Sequence, residues 1–235
     1  IAAARLAGRG DERAADQAAV DAMRAVLNEL PMQGRVVIGE GERDHAPMLF
    51  IGERVGAGGG AAIDIAVDPL EGTTLAAKAI PNALSVIAIA PRGGLLIAPD
   101  TYMDKLAIGP GFPADVVDLD ATPGDNVKAL AQAKGVSPGE IAVCVLDRPR
   151  HGAIIDALRS VGARVQLIGD GDIAGVIHTT KPGAGVDMYM GSGGAPEGVL
   201  AAAALKCMGG QFQARLVIRN DEERARAERA GIEDL

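Results

Sequence analysis

The chain has 235 residues, 23 basic against 31 acidic side chains and a net charge of −8, which argues against a sequence-independent nucleic-acid binder. The hydrophobic set supplies 48% of the residues but aromatics only 2%, so the core has to be built from Ala, Val, Ile and Leu. No apolar run reaches the roughly 18 residues of a membrane span, and no secretory or transit signal is visible, which points to a cytoplasmic protein. Cys144 and Cys207 both lie in apolar contexts and read as reduced core thiols.

Val20, Met23, Leu27 and Leu30 recur at helical spacing and predict a helix over 16–30. RVVIG (35–39) is a short apolar strand. AIDIAVD (62–68) alternates as a strand that Pro69 ends. ALSVIAIAP (83–91) and GLLIAP (94–99) read as a hairpin turned at Arg92, Gly93 and Gly94. Further on, 125–135, 151–161, 194–208 and 220–230 are predicted helices, and 141–147, 164–170, 187–191 and 213–218 predicted strands. The first half mixes hairpins with helices, whereas the second has the alternation of an α/β sheet covered by helices. The Pro/Gly-rich stretch 110–125 is the expected boundary, giving domains over 1–120 and 121–235. The end, RNDEERARAERAGIEDL, stops after a helix with no closing strand, so further C-terminal sequence is expected.

The informative acids are those that interrupt apolar or Gly-rich backbone. Asp16 falls on the apolar stripe of its helix, either as a carboxylate favoured by the helix dipole or as a functional group. Glu40 and Glu42 project from IGEGE just past a strand, followed by Asp44 and by His45, which reads as a hydrogen-bonding neighbour rather than a ligand. Asp64 and Asp68, four apart on a strand, share a face, and Glu71, Gly72 and Thr73 then open a turn into a helix. Carboxylates, a turn rich in carbonyls and a hydroxyl make an oxygen-only donor set, suited to Mg²⁺ or Mn²⁺ rather than zinc. Glu197 opens a helix after a strand that ends in glycines, a place that can hold a carboxylate or receive a phosphate. Tyr102 and Lys105 lie in TYMDK, and Arg148, Arg150 and His151 follow an apolar strand, where arginines suit bidentate phosphate recognition. Asp170 and Asp172 in GDGD either accept sugar hydroxyls or cap the helix from Ile173. No Cys or Ser nucleophile motif is visible.

DPLEGT (68–73) resembles the metal motif of the lithium-sensitive, metal-dependent sugar phosphatases, a superfamily that includes inositol monophosphatases and fructose-1,6-bisphosphatases. With GRGDERAAD, VIGEGERDHAPML, DIAVDPLEGTT, YMDKL, RPRH, GDGD and GGAPEG in that order, essentially the whole chain resembles the class II, bacterial-type fructose-1,6-bisphosphatases. The resemblance implies an α/β fold, α+β in its first half, with two mixed sheets sandwiched by helices in the layered sugar-phosphatase manner. It implies an N-terminal metal-binding domain and a substrate-binding domain from 121. The implied reaction is hydrolysis of the C1 phosphate of fructose-1,6-bisphosphate in gluconeogenesis. Asp16, Glu40, Asp68, Glu71 and Glu197, with the carbonyl of Leu70, match the family's Mg²⁺ or Mn²⁺ ligands. Thr73, with Glu40 or Glu42, would orient the attacking water, and Asp68 belongs to the same catalytic group. Tyr102, Lys105, Arg148, Arg150, Asp170, Asp172 and Gly194 match substrate-binding positions, although some members carry Lys at the position of Arg148. The implied partners are a sugar bisphosphate and a second copy of the chain in a homo-oligomer, with no nucleic acid and no membrane. The alternatives are a sedoheptulose-1,7-bisphosphatase, an inositol monophosphatase-like enzyme, and a catalytically silent sugar-phosphate sensor. The basic cluster at 148–150 favours a substrate with two phosphates over inositol phosphate.

Overall fold

The computed structural model describes residues 1–41 and 48–232 and divides the chain into two units, one on Ile1–Pro99 and one on Asp100–Glu228. Each has its own mixed sheet and its own core, and the described residues form seven α-helices and nine strands in an α/β layered fold. The expected two mixed sheets with helices are therefore present. The division falls between Pro99 and Asp100, ahead of the Pro/Gly-rich 110–125 stretch, because the strand that follows pairs only within the second sheet.

The first unit opens with α1 (Glu12–Glu29), whose cap, Asp11, accepts a hydrogen bond from the Ala14 N–H at 2.9 Å. Strands β1 (Gln33–Ile38), β2 (Arg54–Val55), β3 (Ala62–Glu71) and β4 (Leu84–Pro91) form a sheet in the order β2-β1-β3-β4. The central pair, β1 and β3, is parallel, and the outer pairs are antiparallel. The apolar stripe of α1 buries Val20 and Leu27 against Val36, Ile65 and Val67. The short α2 (Thr73–Ala77) follows β3 directly.

Two local expectations are corrected here. Pro69 does not end β3. The ladder to β4 slips between Asp68 and Glu71, and this irregularity takes up a proline that cannot donate to a regular ladder. Residues 94–99 form no strand, so the expected hairpin is absent. The N–H of Gly94 turns back onto the Pro91 carbonyl at 2.8 Å and that of Gly93 onto Asp64 at 2.7 Å, which leads the chain away from the sheet edge.

In the second unit the strands are β5 (Tyr102–Ile108), β6 (Ala142–Leu146), β7 (Arg164–Ile168), β8 (Met188–Gly194) and β9 (Gln211–Val217), ordered β7-β6-β8-β5-β9. β6 runs parallel to β7 and β8, and β5 runs antiparallel to β8 and β9. The helices are α3 (Pro123–Lys134), α4 (Gly152–Ser160), α5 (Asp172–His178), α6 (Ala195–Met208) and α7 (Asp221–Arg229). Leu106, Ile108, Leu130, Ile141, Val143, Leu158 and Met188 form the larger core cluster. α3 ends on Gly135 at φ 70°, where its N–H caps the last turn. Cys144 is buried in this unit as expected, but Cys207 is exposed, because the last turn of α6 leaves the packed face. Among the described residues no helix is long and apolar enough to cross a membrane.

Candidate functional site

Because β1 and β3 are parallel and Ile38 pairs with Ala66, the chain carries Glu40 and Asp68 past the same end of the first sheet. Asp16, half-buried in the first turns of α1, is close enough to act on Glu40 electrostatically. The Glu40 carboxyl is pushed up to about 7, chiefly by burial, then by the charges of Asp16 and Asp68. Burial alone raises Asp16. Glu40 is thus within electrostatic reach of both other acids.

The remaining residues of DPLEGT have a fixed geometry. Asp68 Oδ1 accepts the Leu70 N–H at 3.1 Å, which curls the backbone over the slip in the ladder. Pro69 and Leu70 have no partner on β4, and their peptide groups lie off the ladder. Gly72 takes φ 77°, a left-handed conformation suited to glycine, and a Cβ there would press on the Leu75 side chain. Thr73 is the first residue of α2 and Glu71 is buried beside it. Among the described residues no three His, Cys, Asp or Glu side chains are grouped so that they could hold a metal ion. Glu42, Asp44 and His45 lie outside the described residues.

Asp64 shares a face with Asp68 but does different work. It is buried and takes Arg35 at 3.0 and 3.1 Å, Arg92 at 3.3 Å and the Gly93 N–H at 2.7 Å. Burial acts to raise its pKa, yet the hydrogen bonds from Arg35 and Gly93 and the two positive charges together hold the carboxyl below its ordinary range. A second buried acid, Glu53, was not singled out by sequence reasoning. It accepts Arg24 Nε at 2.6 Å and the Leu49 N–H, and so anchors the return from the loop after β1. Lying in a short stretch between glycines, it has no periodicity that would mark it.

In the second unit every sequence-predicted substrate residue lies near one end of the sheet. β6, β7 and β8 are parallel; Arg148, Arg150 and Asp170 follow the carboxyl-terminal ends of β6 and β7, and Gly194 is the last residue of β8. The chain passes from β6 out to β7 and returns to the other side of β6 at β8, which makes this end a topological switch point. Tyr102 pairs with Gly194 across the antiparallel β5–β8 ladder and joins the same end. Arg150 donates from Nε and Nη2 to the Ser192 carbonyl at 3.0 and 2.8 Å and places its guanidinium 5.0 Å from the Tyr102 ring centroid. Arg219, which sequence reasoning missed, lies 4.6 Å from the same ring and binds Glu223. Two guanidiniums on one tyrosine concentrate positive charge there. Among the described residues Arg148 hydrogen-bonds only to the adjacent Asp147 carbonyl, at 3.1 Å, and it is half-buried.

His151 is buried. Its Nε2 accepts the Ser192 N–H at 2.8 Å and its Nδ1 lies 2.7 Å from the Leu146 carbonyl, a pairing that requires the Nδ1–H tautomer. It thus ties the end of β6 to β8. Lys105 and Asp172 meet as a buried ion pair at 2.6 Å, with the Tyr189 hydroxyl 3.5 Å from the same carboxylate oxygen. Glycine is required beside them. A Cβ at Gly193 would overlap the Asp172 carboxylate, and one at Gly194 would overlap that of Glu197, in the first turn of α6.

A family model described as bacterial fructose-1,6-bisphosphatase, glpX-encoded, matches residues 1–235. The chain is 48% identical over 217 residues, 92% of its length and 65% of the relative's, to a D-fructose 1,6-bisphosphatase class 2/sedoheptulose 1,7-bisphosphatase of Prochlorococcus marinus (strain NATL1A). It is 49% identical over 214 residues, 91% of its length and 63% of the relative's, to fructose-1,6-bisphosphatase 1 class 2 of Escherichia coli (strain K12). The chain therefore spans just under two thirds of the curated relatives it matches.

Proposed function

Since this chain belongs to the bacterial, glpX-encoded fructose-1,6-bisphosphatase family, we propose that it serves a metal-dependent sugar-bisphosphatase, hydrolysing the C1 phosphate of fructose-1,6-bisphosphate. The observation that carries the reading is the Glu40 carboxyl at one end of the first sheet, half-buried and within electrostatic reach of both Asp16 and Asp68. A half-buried carboxyl raised by neighbouring acids is relieved by a hard cation, and the donor set is all oxygen. Asp16, Glu40, Asp68 and Glu71, with the Leu70 carbonyl, would hold Mg²⁺ or Mn²⁺. When bound, such an ion supplies Lewis acidity toward phosphoryl oxygens and lowers the pKa of water. Thr73 would orient the attacking water together with Glu40. Arg150, Tyr102 and Arg148 would bind a phosphate of the substrate, with Asp170 and Gly194 beside its sugar. The buried Lys105–Asp172 pair would support that end of the sheet from below. Glu197 is assigned as a further ligand by family position and is tested separately, through loss of divalent-cation affinity in Glu197→Gln. Cytoplasmic location and homo-oligomerisation belong to the same proposal.

The test is phosphate release from fructose-1,6-bisphosphate, sedoheptulose-1,7-bisphosphate and inositol monophosphate, with and without divalent metal. The second sugar is included because the Prochlorococcus relative is named for both activities. Metal-dependent release from a sugar bisphosphate is expected. Thr73→Ala should lower turnover by about 10²–10⁴-fold while metal binding persists. Preference for inositol phosphate, or unchanged turnover in Thr73→Ala, would overturn the assignment, and sugar-phosphate binding without any turnover would identify a sensor.

A further inference from the structure

The opposite end of the first sheet carries chemistry that this function does not use. At the amino-terminal ends of β1 and β3, away from Glu40 and Asp68, lies a cleft of about 520 Å³ bordered by Gln33, Arg35, Arg54, Gly56, Gly58 and Arg92. The lining contains three arginines and no acid. Arg35 and Arg54 are direct partners in the antiparallel β1–β2 ladder, so their side chains leave the same face. Like charges in that position cost stability when nothing neutralises them. One carboxylate, Asp64, answers Arg35 and Arg92. Among the described residues Arg54 forms no ion pair and is exposed. The cleft therefore holds an excess of positive charge.

Arg35 and Arg92 are also fixed before any ligand arrives. Asp64 grips Arg35 through Nε and Nη2, and Arg92 adds a hydrogen bond from Nη2 to the Gln33 carbonyl at 2.9 Å. That leaves Nη1 of Arg35 and Nε of Arg92 uncommitted among the described residues. Gly58, at φ 82° with open space where a Cβ would stand, keeps the loop backbone accessible beside them. Held guanidinium forks match the oxygens of a phosphate and lose little entropy on binding it. The volume falls within the range of small-molecule pockets and exceeds what inorganic phosphate alone needs.

We propose that this cleft is a second anion site, separate from the hydrolytic one, that binds a phosphate-bearing small molecule through Arg35, Arg54 and Arg92. The experiment is calorimetric titration of the full chain with inorganic phosphate, in chelator, on an Arg150→Ala background. Chelator removes metal-assisted binding, and Arg150→Ala removes the proposed substrate-phosphate contact. Phosphate binding should persist, and adding Arg54→Gln should weaken it by about tenfold or more, the loss expected for one charge-assisted contact. Arg54 is exposed and Arg54→Gln removes a like charge opposite Arg35, so the melting temperature should not fall below that of the background and a folding defect can be told apart. Absence of binding in the Arg150→Ala protein, or equal affinity with and without Arg54→Gln, would overturn the site and leave the proposed hydrolytic function untouched.

Discussion

Arg150 owes its position to a single carbonyl: two of its nitrogens converge on Ser192, and the ring of Tyr102 lies beneath the guanidinium. Arg150→Ala should raise KM by about tenfold or more, with a smaller change in kcat, and Arg150→Lys should recover little because an ammonium cannot reproduce the fork. An unaffected KM would remove Arg150 from the substrate site. Asp64 makes a different prediction. Its carboxyl is held below the ordinary range in the folded chain, so its stabilisation is complete above the unfolded value of 3.8 and disappears as pH falls through the lower folded value. Asp64→Ala should cost about 1–3 kcal/mol at neutral pH, by removing a buried carboxylate that accepts hydrogen bonds from Arg35, Arg92 and the Gly93 N–H, and should flatten the acid limb of a pH–stability curve. An acid limb as steep as wild type would assign the acid sensitivity elsewhere. The acids around DPLEGT could be picked out from sequence because they interrupt apolar backbone. Arg219 could not, since nothing local marks it, and its place beside Tyr102 depends on pairing between β5 and β9.

At the scale of elements, the helices were legible wherever apolar residues recur at helical spacing, as in α1 and α4. β5 was not, because Asp104 and Lys105 make YMDKL read as polar. The lysine is tolerated inside a strand only because Asp172, 67 residues later, meets it at the start of α5. GLLIAP misled in the opposite sense, being apolar enough for a strand although the turn at Gly93 and Gly94 leads it away from the open edge of β4. The buried pair gives an element-level prediction. Asp172→Asn or Lys105→Met alone should destabilise the second unit by about 3–5 kcal/mol, because each strands an unpaired partner, whereas the double variant should recover much of the loss. Urea unfolding of the three variants checks this, and additive losses would show that the two side chains are not energetically coupled.

For the whole molecule, two cores and two sheets mean that a single melting temperature need not describe one transition. A divalent cation should act first on the unit that carries Asp16, Glu40 and Asp68. At a concentration a hundred times its Kd it should add about 2.7 kcal/mol, read as slowed hydrogen exchange in β1 and β3, and Asp68→Asn should abolish the effect. Equal protection in both variants would separate cation binding from these acids. The architecture of two mixed sheets was readable from motif order.

The two thiols differ in a way that makes the folded chain report on itself. Cys207 stands in solvent, while Cys144 is enclosed in the middle strand of the parallel trio, its pKa pushed up to about 12 by burial and then by the charge of Asp172. An alkylating reagent should mark the first cysteine at once and reach the second only when the strands part. The lag between the two labels would then time the opening of that sheet without any engineered probe.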